Sequence, residues 1–592
     1  MSGTRRGTHG WISIVLDLSG NHLAGAIPHQ LSALLNLQTL NLGVNNLIGG
    51  IPVELGMLSG LRTLYLFGNS LGGSIPASLG NLLMLRVLDI SQAGLVSTLP
   101  PELGNLTNLM LIALSGNQLS GSLPPCFAKM QQLLYFDVGG NGLHGIIPPE
   151  MFTNWTKLEW FDLSNNSFSG TIRPQIHKWK GLMHLSLAGN NFSGVIPLEL
   201  ANMTNLVQLD MSKNYLEGAI QVCIWNLQQL RYLDLSSNRF VGVIPPMASN
   251  NSSSSMIYLR LSNNYLEGCF PVVLKNFKNL TVLDLGNNDI SETFPSWIQE
   301  SNPLLRILRL RSNRLHGSIP WQLSQLSHLH MLDLSDNNFR GLLQSPILAS
   351  IIEKSSIPTS FANLSSMRQP IKSEKGTETY LNYEGIDIVW KGQEYNFQSA
   401  ADLMIGIDLS TNYLSGEIPS GLTNLRGLRS LNMLRNFLSG NILDDIGNLT
   451  FIESLDLSKN KLSGSIPSSM SYLLSLTSLN LSNNNLSGEI PTGNQLRTLD
   501  DPSIYSNNLG LCGFPLNACA NHSSMGTTLF VEKDQHDLET LWLYYAVIAG
   551  VVFGFWLWFG SLFLCKSSRY AFFNSIDSMQ DEVVQKMKQK HI

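Results

Sequence analysis

Six side chains suited to binding recur at one spacing. Tyr135, Trp160, His184, Gln208, Tyr232 and Tyr258 each stand just before a strand-type Leu or Phe, 24 to 26 residues apart. Arg260 lies next to this column, and Arg309 and Arg311 follow two repeats later. Tyr, Trp and Arg are favoured anchors at interfaces because they offer large contact area with a polar tip. An extended peptide could cross such a column, with the Arg309/Arg311 pair gripping a carboxylate through two parallel N–H bonds. Scattered surface aromatics would give the same residues without a site.

Nothing comparable points to bond-breaking chemistry. Gly140-Asn141-Gly142-Leu143-His144-Gly145 matches Gly-x-Gly-x-x-Gly, but a dinucleotide site needs that turn between a parallel strand and a long helix. His328 and His330 lie beside an ordinary strand, and no cluster has metal-ligand spacing. Asp89, Asp234, Asp284 and Asp333 recur too regularly for catalysis. We expect no enzyme activity and no cofactor or metal.

The elements that position the column come from a repeat of about 24 residues. An asparagine with fixed leucine neighbours marks it at 18 slots: 14 from Asn21 to Asn337, with Ala93 filling one, and 4 from Asn412 to Asn484. Alternating residues, as in Leu283-Asp284-Leu285, predict a short strand with leucine inward and its neighbours outward. The Asn can bond backbone groups where the chain turns off the strand. A Gly-x-Ile-Pro segment follows, as at Gly317–Pro320, and predicts extended or 3₁₀ backbone on the outer side. One repeat cannot bury its leucines, but stacked neighbours can, so the strands should line the concave side of a solenoid.

These residues resemble the plant extracellular leucine-rich repeat, which Met203–Gly218 follows with few departures. The resemblance covers roughly four-fifths of the chain. It implies an α/β leucine-rich repeat solenoid: a right-handed superhelix, parallel sheet on the concave face and 3₁₀ or extended segments on the convex face. Cys512 and Cys519, just past the last repeat, resemble the paired-cysteine cap of plant receptor ectodomains, which implies a disulfide between them. Cys126, Cys223 and Cys269 lie in non-neighbouring repeats and are expected to be buried free thiols.

Leu541 to Leu564 is almost wholly apolar, 24 residues, long enough to span a bilayer as a helix. Acidic residues precede it, and Lys566 and Arg569 follow, which predicts repeats outside and the C-terminus in the cytoplasm. Ala546, Gly550 and Gly554 have the small-xxx-small spacing that lets membrane helices pack closely. The 27 residues after Cys565 cannot hold a kinase. This layout resembles the kinase-less plant receptor-like proteins, the group of the ethylene-inducing-xylanase and Cf-type receptors. It implies recruitment of a partner receptor kinase through the membrane helix and juxtamembrane stretch. The 75-residue spacing from Asn337 to Asn412 resembles the island of that family, with Tyr383, Lys391 and Gly392 as its Tyr…Lys-Gly signature. Alternating Ile386, Ile388 and Trp390 predict a strand there.

The expected organisation is a remnant N-terminus (1–10), repeats 1–14 (11–340), the island (341–403), repeats 15–18 (404–490), a cap (491–525), an acidic juxtamembrane stretch (526–540), a membrane helix (541–564) and a short tail (565–592). A net charge of -5 gives no reason to expect nucleic acid as partner. Thirteen Asn-x-Ser/Thr sequons point to an extracellular glycoprotein, with Asn105, Asn154, Asn202, Asn279, Asn363, Asn448 and Asn521 the expected acceptors. Met1–Gly7 holds no apolar signal segment and no cysteine cap, so an incomplete N-terminus is expected. The reading is a single-pass plasma-membrane receptor whose concave face and island bind an extracellular peptide, protein elicitor or glycan, in defence or development. The alternatives are a non-functional truncated fragment and a soluble binding protein like the polygalacturonase inhibitors.

Overall fold

The structure, a computed structural model, describes residues 14–247, 255–341, 356–369, 386–390, 393–397 and 405–519. Each turn of the chain begins with a three-residue strand whose middle residue is apolar and buried, as in Thr63–Tyr65 and Tyr232–Asp234. These strands form one 18-stranded sheet, matching the 18 asparagine slots. Every pairing is parallel and in register, so Leu209 lies beside Leu233 and Leu233 beside Leu259. After each Pro the chain winds into a short 3₁₀ turn such as Val53–Met57 or Leu198–Asn202, and twice into a short α-helix, Pro149–Asn154 and Ile298–Ser301. Leucine, isoleucine and phenylalanine from strands and turns merge into one continuous core running from Ile27 to Leu511.

The asparagines hold this stack together. Asn238 is buried, and its Nδ2 donates to the carbonyls of Met211 in the preceding repeat (2.9 Å) and Leu235 in its own (3.2 Å). Its Oδ1 accepts from the Leu216 amide at 3.0 Å. Backbone groups that the sheet leaves over are thereby paired between neighbouring turns. At Ala93 the backbone amide donates to Oδ1 of Asn117 instead (3.0 Å). The ladder also has one rung more than the sequence suggested. Asn508 donates to Leu481 and Tyr505 and accepts from the Leu486 amide, all at 3.0 Å. Ser503 and Tyr505 stand where leucines usually announce the slot, which hid it.

The break in the repeat does not break the sheet. Met331–Asp333 pairs directly with Gly406–Asp408. Within the segment read as an island, residues 356–369 supply the outer half of a repeat, with Ile357, Phe361, Leu364 and Met367 fully buried. In the sequence Ser355-Ser356-Ile357-Pro358 replaces Gly-x-Ile-Pro there, so the repeat frame runs on past residue 341. Further on, the expected strand is present: Ile386–Trp390 pairs antiparallel with Gln393–Phe397. Tyr383, Lys391 and Gly392 lie outside the described residues.

At the C-terminal end Tyr505 and Leu511 cover the last leucines, and Cys512 and Cys519 are joined by a disulfide, their Cα atoms 4.9 Å apart. The other described cysteines are free but not buried as expected. Cys126 and Cys223 are half-exposed and Cys269 is exposed, because they begin outer turns or leave strands rather than filling leucine positions. Among the described residues no helix is long and apolar enough to cross a membrane. The expected span at 541–564, with Ala546, Gly550 and Gly554, lies outside them, as does Asn521.

Replacing Asn238 by Ala strands an amide and two carbonyls between turns, at about 1–3 kcal/mol for each buried group left unpaired. Asn238→Ala should lower the urea midpoint of the repeat domain by an amount that corresponds to about 2 kcal/mol or more of unfolding free energy, whereas the exposed Asn485→Ala should change that free energy by less than about 0.5 kcal/mol. Equal midpoints would show that the ladder is dispensable.

Candidate functional site

Parallel in-register strands turn sequence columns into spatial rows. The first outward position of successive strands places Tyr135 beside Trp160, Trp160 beside His184, His184 beside Gln208, Gln208 beside Tyr232 and Tyr232 beside Tyr258. The rings stack along the sheet. Tyr135 and Trp160 lie 5.3 Å apart, Trp160 and His184 3.5 Å, and Tyr232 and Tyr258 4.3 Å, each pair within 17° of parallel. Tyr135 and Trp160 are half-buried, whereas His184, Tyr232 and Tyr258 are closed off from solvent.

The third strand position forms a second row beside the first. From Asp137 it runs through Asp162, Ser186, Asp210, Asp234, Arg260, Asp284, Arg309 and Asp333 to Asp408. Most of these carboxylates also cap their strand, with one oxygen accepting the amide two residues on, as Asp234 does from Ser236 (2.8 Å). The other oxygens meet the arginines. Arg260 reaches Asp234 at 3.6 Å and Asp284 at 3.2 Å, and Arg309 reaches Asp284 at 3.3 Å and Asp333 at 3.6 Å. Arg309, expected to hold a ligand carboxylate with Arg311, is thus already held between two carboxylates of its own chain. Arg311 stands just beyond the strand end, half-buried.

The strand aspartates were dismissed as too regular for catalysis, and their structural task confirms the regularity. The signal that they also serve the face was present in the sequence: Arg260 and Arg309 occupy aspartate slots, so each inherits carboxylate neighbours on both sides.

The leucine-rich repeat profiles of two related families match this chain, one over residues 180–240 and the other over 36–58, 60–82, 108–130, 157–179, 279–301, 451–473 and 475–496. Receptor-like protein EIX2 of Solanum lycopersicum is 51% identical over 207 residues, which is 34% of this chain and 20% of that protein. Among solved structures, the Arabidopsis receptor kinase HAESA with the peptide hormone IDA and the co-receptor SERK1 is 30% identical, with TM-score 0.61 over 84% of this chain and 78% of that one. The chain belongs to the plant leucine-rich repeat receptors. The complex of PEPR1 with AtPEP1 is also similar, 31% identical with TM-score 0.69 over 84% of this chain and 66% of that one. The chain therefore spans about one fifth of its tomato relative and just under two thirds of PEPR1. The fold is that of the ectodomains in these receptor structures.

The expected sugar acceptors among the described residues share one location. Asn105, Asn154, Asn202, Asn363 and Asn448 each end an outer turn, and Asn279 lies three residues beyond one. All are exposed except Asn154, which is half-buried. Asn480 differs: it lies on the open face, donates to Asp456 (3.4 Å) and accepts from Ser482, lining a 560 Å³ groove with Asp408, Asp456 and Asp501.

Crowding of carboxylates sets the titration of the face. Burial, with Asp333 alongside, pushes Asp408 up to about 7, and burial, with Asp162 alongside, pushes Asp137 up to about 6. Burial also raises Asp234, against the pull of Arg260. A carboxyl raised in the folded state holds a proton that the unfolded chain has released. The stability from these groups is full below about pH 4 and is lost as pH rises through 6 to 7. Asp408→Asn, the residue that fills the same slot at Asn432 and Asn480, should flatten this decline and raise the melting temperature at pH 8. A melting curve unchanged in slope from pH 5 to 8 would contradict the assignment.

Proposed function

We propose that the chain is the ligand-binding part of a cell-surface receptor-like protein, single-pass in the plasma membrane with its repeats outside. Its open sheet face and island bind an extracellular peptide, protein elicitor or glycan, and it signals through a partner receptor kinase in defence or development. The observation that carries this is the pair of neighbouring rows, one rich in aromatic rings and one in ionic side chains, across in-register strands. That surface is long and polar-lined, and suits an extended ligand that exchanges hydrogen bonds and ring contacts with many strands. Receptors of this fold appear with peptide hormones and a co-receptor, as HAESA with IDA and SERK1. In this reading Tyr135, Trp160, His184, Tyr232, Tyr258, Arg260, Arg309 and Arg311 line the ligand path, and Tyr383, Lys391 and Gly392 contribute to binding. Ala546, Gly550 and Gly554 pack against the partner's membrane helix. Sugars on the outer turns, and on Asn521 beyond them, leave the open face clear.

Full-length chain displayed on plant cells should bind a component of extracellular fluid and bring a receptor kinase into its immunoprecipitate. Tyr135→Ala with Trp160→Ala, both partly exposed, should weaken that binding at least tenfold, and so should Tyr258→Ala with Arg309→Ala. Unchanged binding in folded variants of both kinds would remove the sheet face as the site.

A further inference from the structure

The charge of the open face is uneven. Towards the C-terminal side Arg260 and Arg309 are interleaved with Asp234, Asp284 and Asp333, so cation and carboxylate alternate. Elsewhere in the row carboxylates stand side by side, as Asp210 with Asp234, Asp333 with Asp408 and, furthest from the arginines, Asp137 with Asp162. Asp137 and Asp162 occupy adjacent, in-register strands about 4.8 Å apart with no cation between them in the row. Like charges so placed repel each other and are normally avoided.

Each carboxylate spends Oδ1 on its own strand end, Asp137 on the Gly139 amide (2.9 Å) and Asp162 on the Ser164 amide (2.7 Å). Oδ2 of Asp137 accepts only the Ser115 hydroxyl (2.7 Å). Oδ2 of Asp162 has His184 Nε2 at 3.8 Å, beyond hydrogen-bond reach. Around this pair stand polar atoms that the chain leaves unsatisfied. Neither ring nitrogen of His184 has a hydrogen-bond partner, nor has the Ser186 hydroxyl, although the two residues are only 6% and 2% exposed. The buried indole N–H of Trp160 likewise donates to nothing. Ser186 follows Asp162 in the same row, and His184 follows Trp160 in the neighbouring one. A carboxylate oxygen, a hydroxyl, an imidazole and an indole N–H left unmatched beside paired carboxylates are costly when empty and complementary to something absent.

Resting on the receptor reading above, we propose that the Asp137–Asp162–His184–Ser186 cluster seats a cationic side chain, a lysine or arginine, of the bound peptide. The ammonium or guanidinium sits between the two carboxylates and donates to Ser186 Oγ or a His184 nitrogen. The Trp160 N–H donates to a carbonyl of the same peptide, and the half-buried Tyr135 and Trp160 rings flank the entry. The ligand class is therefore a basic peptide, not one anchored only by a free carboxylate.

The test uses full-length protein in detergent and short, end-blocked, fluorescein-labelled peptides that alternate serine with lysine, glutamate or glutamine, read by anisotropy. The lysine peptide should bind most tightly. Asp137→Asn and Asp162→Asn should each weaken it about tenfold, and the glutamine peptide should respond little. Both variants should fold, since the repeat itself places Asn41, Asn432 and Asn480 in this slot. Trp160→Phe, which keeps the ring and loses the donor, should weaken the lysine and glutamine peptides alike. Equal binding of the lysine peptide to both Asn variants, or preference for the glutamate peptide, overturns the cation site and leaves the receptor reading intact. So does binding of an extracellular ligand by protein that takes up none of the three peptides. A chain that binds neither these peptides nor any extracellular component loses both.

Discussion

No single turn of this chain can satisfy its own backbone. A three-residue strand leaves amides and carbonyls over at the point where it bends away, and the asparagine ladder pairs them with the turns on either side. The leucines have the same dependence, because each is buried only by the leucines of adjoining turns. Those two requirements force every turn into the register of its neighbour. The inserted segment obeys them too: Asn412 donates to Leu334 across it at 3.0 Å, as if the two turns were consecutive.

Fixed register has a consequence for function. Any residue type favoured at one slot becomes a continuous row about 4.8 Å apart on the surface. Aspartate is favoured at the third strand position because it caps the strand, so the open face accumulates negative charge that no single repeat needs. Arg260 and Arg309 answer that charge on one side of the face. Around Asp137 and Asp162 no arginine answers it, and His184, Ser186 and Trp160 stand there with unsatisfied polar atoms. A binding surface of this kind arises from departures within a structural pattern rather than from residues placed separately.

Much of this was legible in advance. Counting asparagines gave the strand number, and the position before the inner leucine gave the aromatic row, because period and alternation map directly onto a parallel sheet. The Cys512–Cys519 bridge followed from resemblance. Other features were hidden by substitution within the pattern. Asn508 lacked its leucines, and the turn that leads into residues 356–369 has Ser355 in the sequence in place of the usual glycine. Cys126, Cys223 and Cys269 were misjudged as buried because residue type suggested the core while slot placed them at the surface.

The sequence by itself determined the repeat, its register and therefore which side chains share a row, since one-dimensional periodicity leaves a stack of equivalent turns no other arrangement. Only the tertiary structure decided what those rows do electrostatically. Whether an arginine is available to a ligand or held by its neighbours depends on distances between strands 24 or 25 residues apart: Arg309 lies 3.3 Å from Asp284, and Asp162 has His184 no nearer than 3.8 Å. Sequence gives the neighbours, but the fold decides whether a carboxylate meets a guanidinium that is always charged or an imidazole that is charged only when protonated.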